Sequence, residues 1–121
     1  MTVGHPNDSK PDSLRNTDFT LHMGALDSAY NRNQVAKKWK DSLSQLQTND
    51  PGGYKHLVQI HENKEHWMEG EDRVAIPWMT ENTRRPYPEK IVWLQDDVTH
   101  NRFYWLVVTG ESVQGLKSGC C

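Results

Sequence analysis

His56-Leu57-Val58-Gln59-Ile60-His61-Glu62-Asn63-Lys64-Glu65-His66-Trp67-Met68 is the stretch that decides how this chain of 121 residues is read. Leu57, Val58 and Ile60 are the apolar core of a short strand, and the polar run after Ile60 is a turn. That turn presents a histidine beside a tryptophan. Open α/β sheets keep their sites in the loops beyond the carboxyl ends of the strands. His66 is therefore a candidate general base, and the rest of the chain decides what it can work with.

Working back from the strand, Thr48-Asn49-Asp50-Pro51-Gly52-Gly53 is a strong helix stop. From about 33 to 47, Val35, Ala36, Trp39, Leu43 and Leu46 fall at spacings of three and four, which is one face of an amphipathic helix. Lys37, Lys38, Lys40 and Asp41 lie mostly off that face, as a solvated surface. Earlier still, Phe19-Thr20-Leu21-His22-Met23 alternates apolar and polar residues and stops at Gly24, which predicts another short strand. Ala25 to Asn31 is a loop whose Asp27, Ser28 and Asn31 suit capping or hydrogen bonds to their own backbone. Strand, helix and strand at this spacing make a βαβ unit, with parallel strands and a right-handed crossover.

Working forward, residues 71–81 predict a second helix with Val74, Trp78 and Met79 inward and Pro77 starting or kinking it. Ile91 to Leu94 and Phe103 to Val108 are β-prone runs, expected to pair as a hairpin across a polar turn. Asp96 and Asp97 in that turn lack the ligand spacing of a calcium loop. The predicted order is β-α-β-α-β-β: an α/β fold, a small three-layer-like unit with two parallel strands and a C-terminal β-hairpin. Residues 1–18 hold two prolines and little apolar periodicity, and are expected to be a disordered arm. Residues 19–109 then form a single domain, and 110–121 a flexible tail.

Composition narrows the function. Hydrophobic residues make up 35% and mean hydropathy is −0.87, low for a self-sufficient domain, although five Trp, four Tyr and two Phe offset this. A net charge of −2 gives no basic footprint, so nucleic acid is not an expected partner. No apolar run approaches the roughly 20 residues of a membrane span, and no signal-peptide core is present, so the expected location is cytoplasmic without membrane association. Cys120 and Cys121 are adjacent, which suits neither a disulfide framework nor a positioned thiol.

Asp27 follows the first predicted strand and His66 the second, 39 residues later. Neighbouring parallel strands lie about 4.8 Å apart, so their loops can meet. A carboxylate bound to one imidazole nitrogen fixes the tautomer and frees the other nitrogen as base. The plainer alternative makes Asp27 a turn residue and His66 a surface histidine packed on Trp67. His56, His61 and His66 recur every five residues, with Glu62 and Glu65 between them. A zincin helix needs histidines four apart on one helical face, so no metal site is expected here, and nothing in the sequence calls for a cofactor. The aromatic group Trp93, Phe103, Tyr104 and Trp105 suits core or inter-domain packing, with an exposed face for self-association as the alternative.

Gly24-Ala25-Leu26-Asp27, the helix, and the strand ending in Lys64-Glu65-His66-Trp67 resemble the carboxyl-terminal part of an α/β-hydrolase. The likeness is greatest to the dienelactone hydrolase and prolyl-oligopeptidase-like esterases, and its motifs span residues 19–79. The resemblance implies ester or peptide hydrolysis by a triad in the order Ser, Asp, His, with Asp27 as acid and His66 as base. Two departures stand out. The family usually has Gly before the histidine, where this chain has Glu65. No Gly-x-Ser-x-Gly elbow precedes Asp27, and the nearest approach, Gly110-Glu111-Ser112-Val113-Gln114, lacks the closing glycine and comes last. Ser28 has no elbow context either. The expectation is a hydrolase fragment or truncated relative that holds acid and base, is inactive alone, and needs a nucleophile-bearing partner.

Overall fold

The computed structural model describes residues 10–95, 101–108 and 119–120. At its centre, β1 (Phe19–Gly24) and β2 (His56–His61) pair in parallel, with Phe19 opposite His56 and Gly24 opposite His61. Helix α1 (Arg32–Asn49) connects them and packs on both. Alternation along each strand puts Leu21, Met23 and Val58 on one face. There they bury against Ala36 and Leu43 of α1 and Tyr54, with Leu14, Phe19, Trp39 and Leu46 flanking. Thr20, His22, Gln59 and His61 point to the opposite face. This is the α/β unit the sequence predicts.

The second helical stretch differs from its prediction. Glu71–Val74 is a 3₁₀ turn leading into a short helix, α2 (Ala75–Thr80), which packs against β1. Pro77 is the third residue of α2, where its missing N–H removes no helical bond. Trp78 is half-buried, but Val74 and Met79 are exposed. A six-residue helix touching one strand has too little contact to bury a full stripe. Among the described residues, no helix is long and apolar enough to cross a membrane.

The C-terminal hairpin is present, but it forms within one of the two β-prone runs and not between them. β4 (Arg102–Phe103) folds back on β5 (Leu106–Val107) around Tyr104-Trp105. Tyr104 takes a left-handed conformation (φ 55°), packs edge-on against Phe103 at 4.9 Å, and its hydroxyl contacts the Asn16 carbonyl. β3 (Val92–Trp93) pairs instead with β6 (Gly119–Cys120), inside the segment expected to be a free tail. The rings still pack, Trp93 stacking on Phe103 and Tyr87 on Trp105. Asp96, Asp97 and Ser112 lie outside the described residues.

Residues 10–18, expected to belong to a mobile arm, are tied down. The Tyr54 hydroxyl donates to the Asp12 carbonyl and the Leu94 N–H to Ser13 Oγ. Arg15 grips Asp50 with two bonds of 2.7 and 2.9 Å, Lys90 donates to the same carboxylate at 2.7 Å, and Asn16 donates to the Lys90 carbonyl. The polar residues that read as disorder are the ones that make these bonds. Arg15 and Lys90 hold the Asp50 carboxyl well below the usual carboxylate range. A carboxyl whose folded pKa is depressed adds stability above its ordinary value, and that stability disappears as pH falls towards the folded pKa. Asp50→Asn is therefore expected to cost about 1 kcal/mol at neutral pH. The gap between variant and wild type should narrow below about pH 4, which urea denaturation at a series of pH values would read.

Candidate active site

Gly24 ends β1 and the next three residues turn back, with the Asp27 N–H donating to the Gly24 carbonyl at 3.1 Å. Asn33, in the first turn of α1, holds this loop: its side chain donates to the Ala25 carbonyl and its N–H to the Asp27 carbonyl. The loop after β2 is bound to the first one by backbone. Ala25 N–H donates to the His61 carbonyl and Leu26 N–H to the Lys64 carbonyl, both at 2.9 Å. The two loops touch so closely that a Cβ on Gly24 would lie 2.1 Å from the Glu65 carbonyl oxygen and 2.4 Å from that of Lys64.

This junction brings Asp27 and His66 together. His66 Nδ1 is 2.9 Å from Asp27 Oδ2, the carboxylate side chain is only 3% exposed, and the imidazole is 61% exposed. Arg32, at the start of α1, places Nη1 3.3 and 3.4 Å from the two Asp27 oxygens and 3.1 Å from His66 Nδ1. A guanidinium only donates and a carboxylate only accepts, so Nδ1 faces a donor and an acceptor at once. An unprotonated Nδ1 would set a lone pair against the carboxylate at 2.9 Å. The shorter contact, 2.9 Å to the carboxylate against 3.1 Å to Arg32, favours Nδ1–H donating to Asp27, with Arg32 bonding the carboxylate and Nε2 keeping the lone pair. Asp27 is thus both a turn residue through its backbone and the partner of His66 through its side chain. Glu65 is exposed and does not prevent the contact.

The rim of the site is apolar. Leu26, Tyr30 and Trp67 are 56%, 86% and 85% exposed, with Trp67 edge-on to His66 at 6.3 Å and Tyr30 stacked over Arg32 at 5.3 Å. Tyr30 and Asn31 both have positive φ, and this double left-handed step turns the chain into α1 and sends Arg32 towards the dyad. A cleft of about 500 Å³ lined by Asp18, Trp78, Arg84, Arg102 and Phe103 opens at the other end of β1, away from the dyad.

The three histidines spaced by five part company. His56 donates Nδ1–H to the Tyr54 carbonyl, and His61 contacts His22 across the sheet. Among the described residues no group of three or more His, Cys, Asp or Glu side chains is placed to hold a metal ion. Two features had escaped the sequence reading, Arg32 and the His22–His61 pair. The pair had a legible signal: its members are 39 residues apart, as are Asp27 and His66. The first pair bridges the two strands and the second bridges the loops that follow them. No family model, curated protein or solved structure matches this chain.

Proposed function

We propose that Asp27 and His66 are the acid and base of an acyl-transfer site of the serine-hydrolase type, completed by a nucleophile from polypeptide other than these 121 residues. The observation that carries this is the 2.9 Å contact between a buried carboxylate and an exposed imidazole, which suits a ring protonated on Nδ1 with Nε2 as the base. Nε2 takes the hydroxyl proton as the nucleophile's oxygen bonds the acyl carbon. The imidazolium so formed is held through Nδ1–H by Asp27, and Nε2–H then passes its proton to the leaving oxygen or nitrogen. Leu26, Tyr30 and Trp67 supply apolar surface around this point, suited to cover by the segment that carries the nucleophile.

The isolated chain is expected to hydrolyse p-nitrophenyl esters no faster than an Asp27→Ala, His66→Ala double variant. A clear wild-type excess, insensitive to metal chelation, would show that the chain supplies its own nucleophile. The role of His66 is tested by joining the chain to a Gly-x-Ser-x-Gly polypeptide encoded in frame upstream. In an active joined protein His66→Ala should lower kcat by roughly 10⁴–10⁶. Unchanged turnover would overturn the assignment.

A further inference from the structure

We infer that His22 and His61 are positioning residues for the Asp27–His66 dyad, linked in a directed hydrogen-bond chain that holds the two strand ends together only while His22 is uncharged; this rests on the dyad reading above. The pair lies on the sheet face away from α1, and His22 is buried, 8% exposed. Three contacts connect it: His61 Nε2 to His22 Nδ1 at 3.1 Å, His22 Nε2 to Thr20 Oγ1 at 3.0 Å, and Thr20 Oγ1 to the Leu57 carbonyl at 3.0 Å.

The carbonyl end fixes the direction of every bond. A carbonyl only accepts, so the Thr20 hydroxyl spends its one hydrogen on Leu57. Thr20 Oγ1 must then accept from His22 Nε2–H. A neutral His22 protonated on Nε2 has a lone pair on Nδ1, which accepts Nε2–H from His61. The rings stack at 5.4 Å across the two strands. The chain thus runs from β2 to β1 and back to β2, starting at His61, which faces Gly24, and closing where Thr20 faces Leu57. Asp27 is three residues beyond Gly24 and His66 five beyond His61, so this cross-link sets where both loops begin.

Protonation of His61 leaves the chain intact, because an imidazolium still donates from Nε2. Protonation of His22 breaks it, because Nδ1 loses the lone pair that accepts from His61. Burial holds the His22 pKa below its ordinary 6.5, the charge of His61 lowers it further, and Asp72 from the 3₁₀ turn opposes them. A histidine depressed in the folded state binds protons more readily unfolded, so stability is full above about pH 6.5 and falls as pH drops from there towards the folded pKa.

Nuclear magnetic resonance of the ¹⁵N-labelled full chain tests this, because the two rings must be opposite tautomers. At pH 7.5–8, His22 is expected to carry its proton on Nε2 and His66 on Nδ1. His22 protonated on Nδ1 would overturn the chain whatever His66 shows. His22 as expected with His66 on Nε2 would sink the dyad reading while leaving the chain's direction standing. Positioning is read separately, from exchange of the His66 Nδ1–H with solvent. Thr20→Val keeps the shape of the side chain but removes the oxygen, and should speed that exchange about fivefold, the change expected for one lost hydrogen bond. Thr20→Ser should restore it. His61→Leu should act like Thr20→Val, whereas His61→Gln, which retains a donor, should act like wild type. Exchange that is the same in wild type, Thr20→Val and His61→Leu would overturn the positioning role.

Discussion

Alanine at position 24 is expected to be the most damaging of the glycine-to-alanine changes at Gly24, Gly52, Gly53 and Gly70. The new Cβ would sit 2.1 Å from the Glu65 carbonyl oxygen, 2.8 Å from its carbon and 2.4 Å from the Lys64 carbonyl oxygen. All three are backbone atoms, so no side chain can rotate away. The loops must separate, which breaks the Ala25–His61 and Leu26–Lys64 bonds on either side of the contact. Overpacking a well-filled site usually costs 1–3 kcal/mol, and with two backbone bonds at risk the expected loss is about 3 kcal/mol or more. In a chain of this length that is roughly a 10 °C fall in Tm, or no cooperative transition at all. Gly70→Ala is the matching control. Gly70 has open space around its Cβ position but a φ of 79°, so alanine there should cost only about 1 kcal/mol, as backbone strain. Thermal melts by circular dichroism would read both, and a Gly24→Ala protein melting within 3 °C or so of wild type would disprove the tight junction.

The second large effect is expected at Asp27. Removing a nearly buried carboxylate deprives Arg32 of its anionic partner and frees the His66 ring. Breaking a fully buried charge pair costs about 3–5 kcal/mol, but Arg32 is 22% exposed and reaches water, so about 2 kcal/mol is expected for Asp27→Ala. Urea denaturation measures the loss. The His66 ring supplies a second readout, because Nδ1–H then has no acceptor and its resonance should vanish into solvent exchange. Arg32→Met should behave differently: it removes a donor to the carboxylate but leaves the acceptor of Nδ1–H in place, so the resonance survives. If Asp27→Ala left stability and the His66 resonance unchanged, the 2.9 Å contact would have no energetic content.

The βαβ unit was readable because its information is local. Val35, Ala36, Trp39, Leu43 and Leu46 keep a helical period over about three turns, and Phe19 to Met23 alternates cleanly, so neither element depends on distant partners for its identity. Asp27 and His66 were readable for a topological reason: parallel strands send both following loops to one end of the sheet. Hairpin pairing was not, since β-propensity in Phe103 to Val108 says that a strand can form but not where it bends or what it meets. The inward face expected for Val74 and Met79 failed because six helical residues cannot sustain a buried stripe. Residues 10–18 misled because a polar segment is indistinguishable from disorder until Asp50, Tyr54 and Lys90 are brought to it. The histidine pair is not legible along either strand, because His22 and His61 meet only across the sheet.

The clasp of Arg15, Asp50 and Lys90 also fixes the geometry of attachment. It pins the chain beside the beginnings of β1 and β2, whereas Asp27 and His66 stand at their ends. Six residues of strand separate the two, about 20 Å at roughly 3.3 Å per residue. Polypeptide joined ahead of residue 10 therefore starts at the wrong pole of the sheet. To deliver a hydroxyl to Nε2 it must run back alongside β1, or around α1, for at least that distance. A tether of fewer than about six extended residues ahead of residue 10 falls short of the dyad.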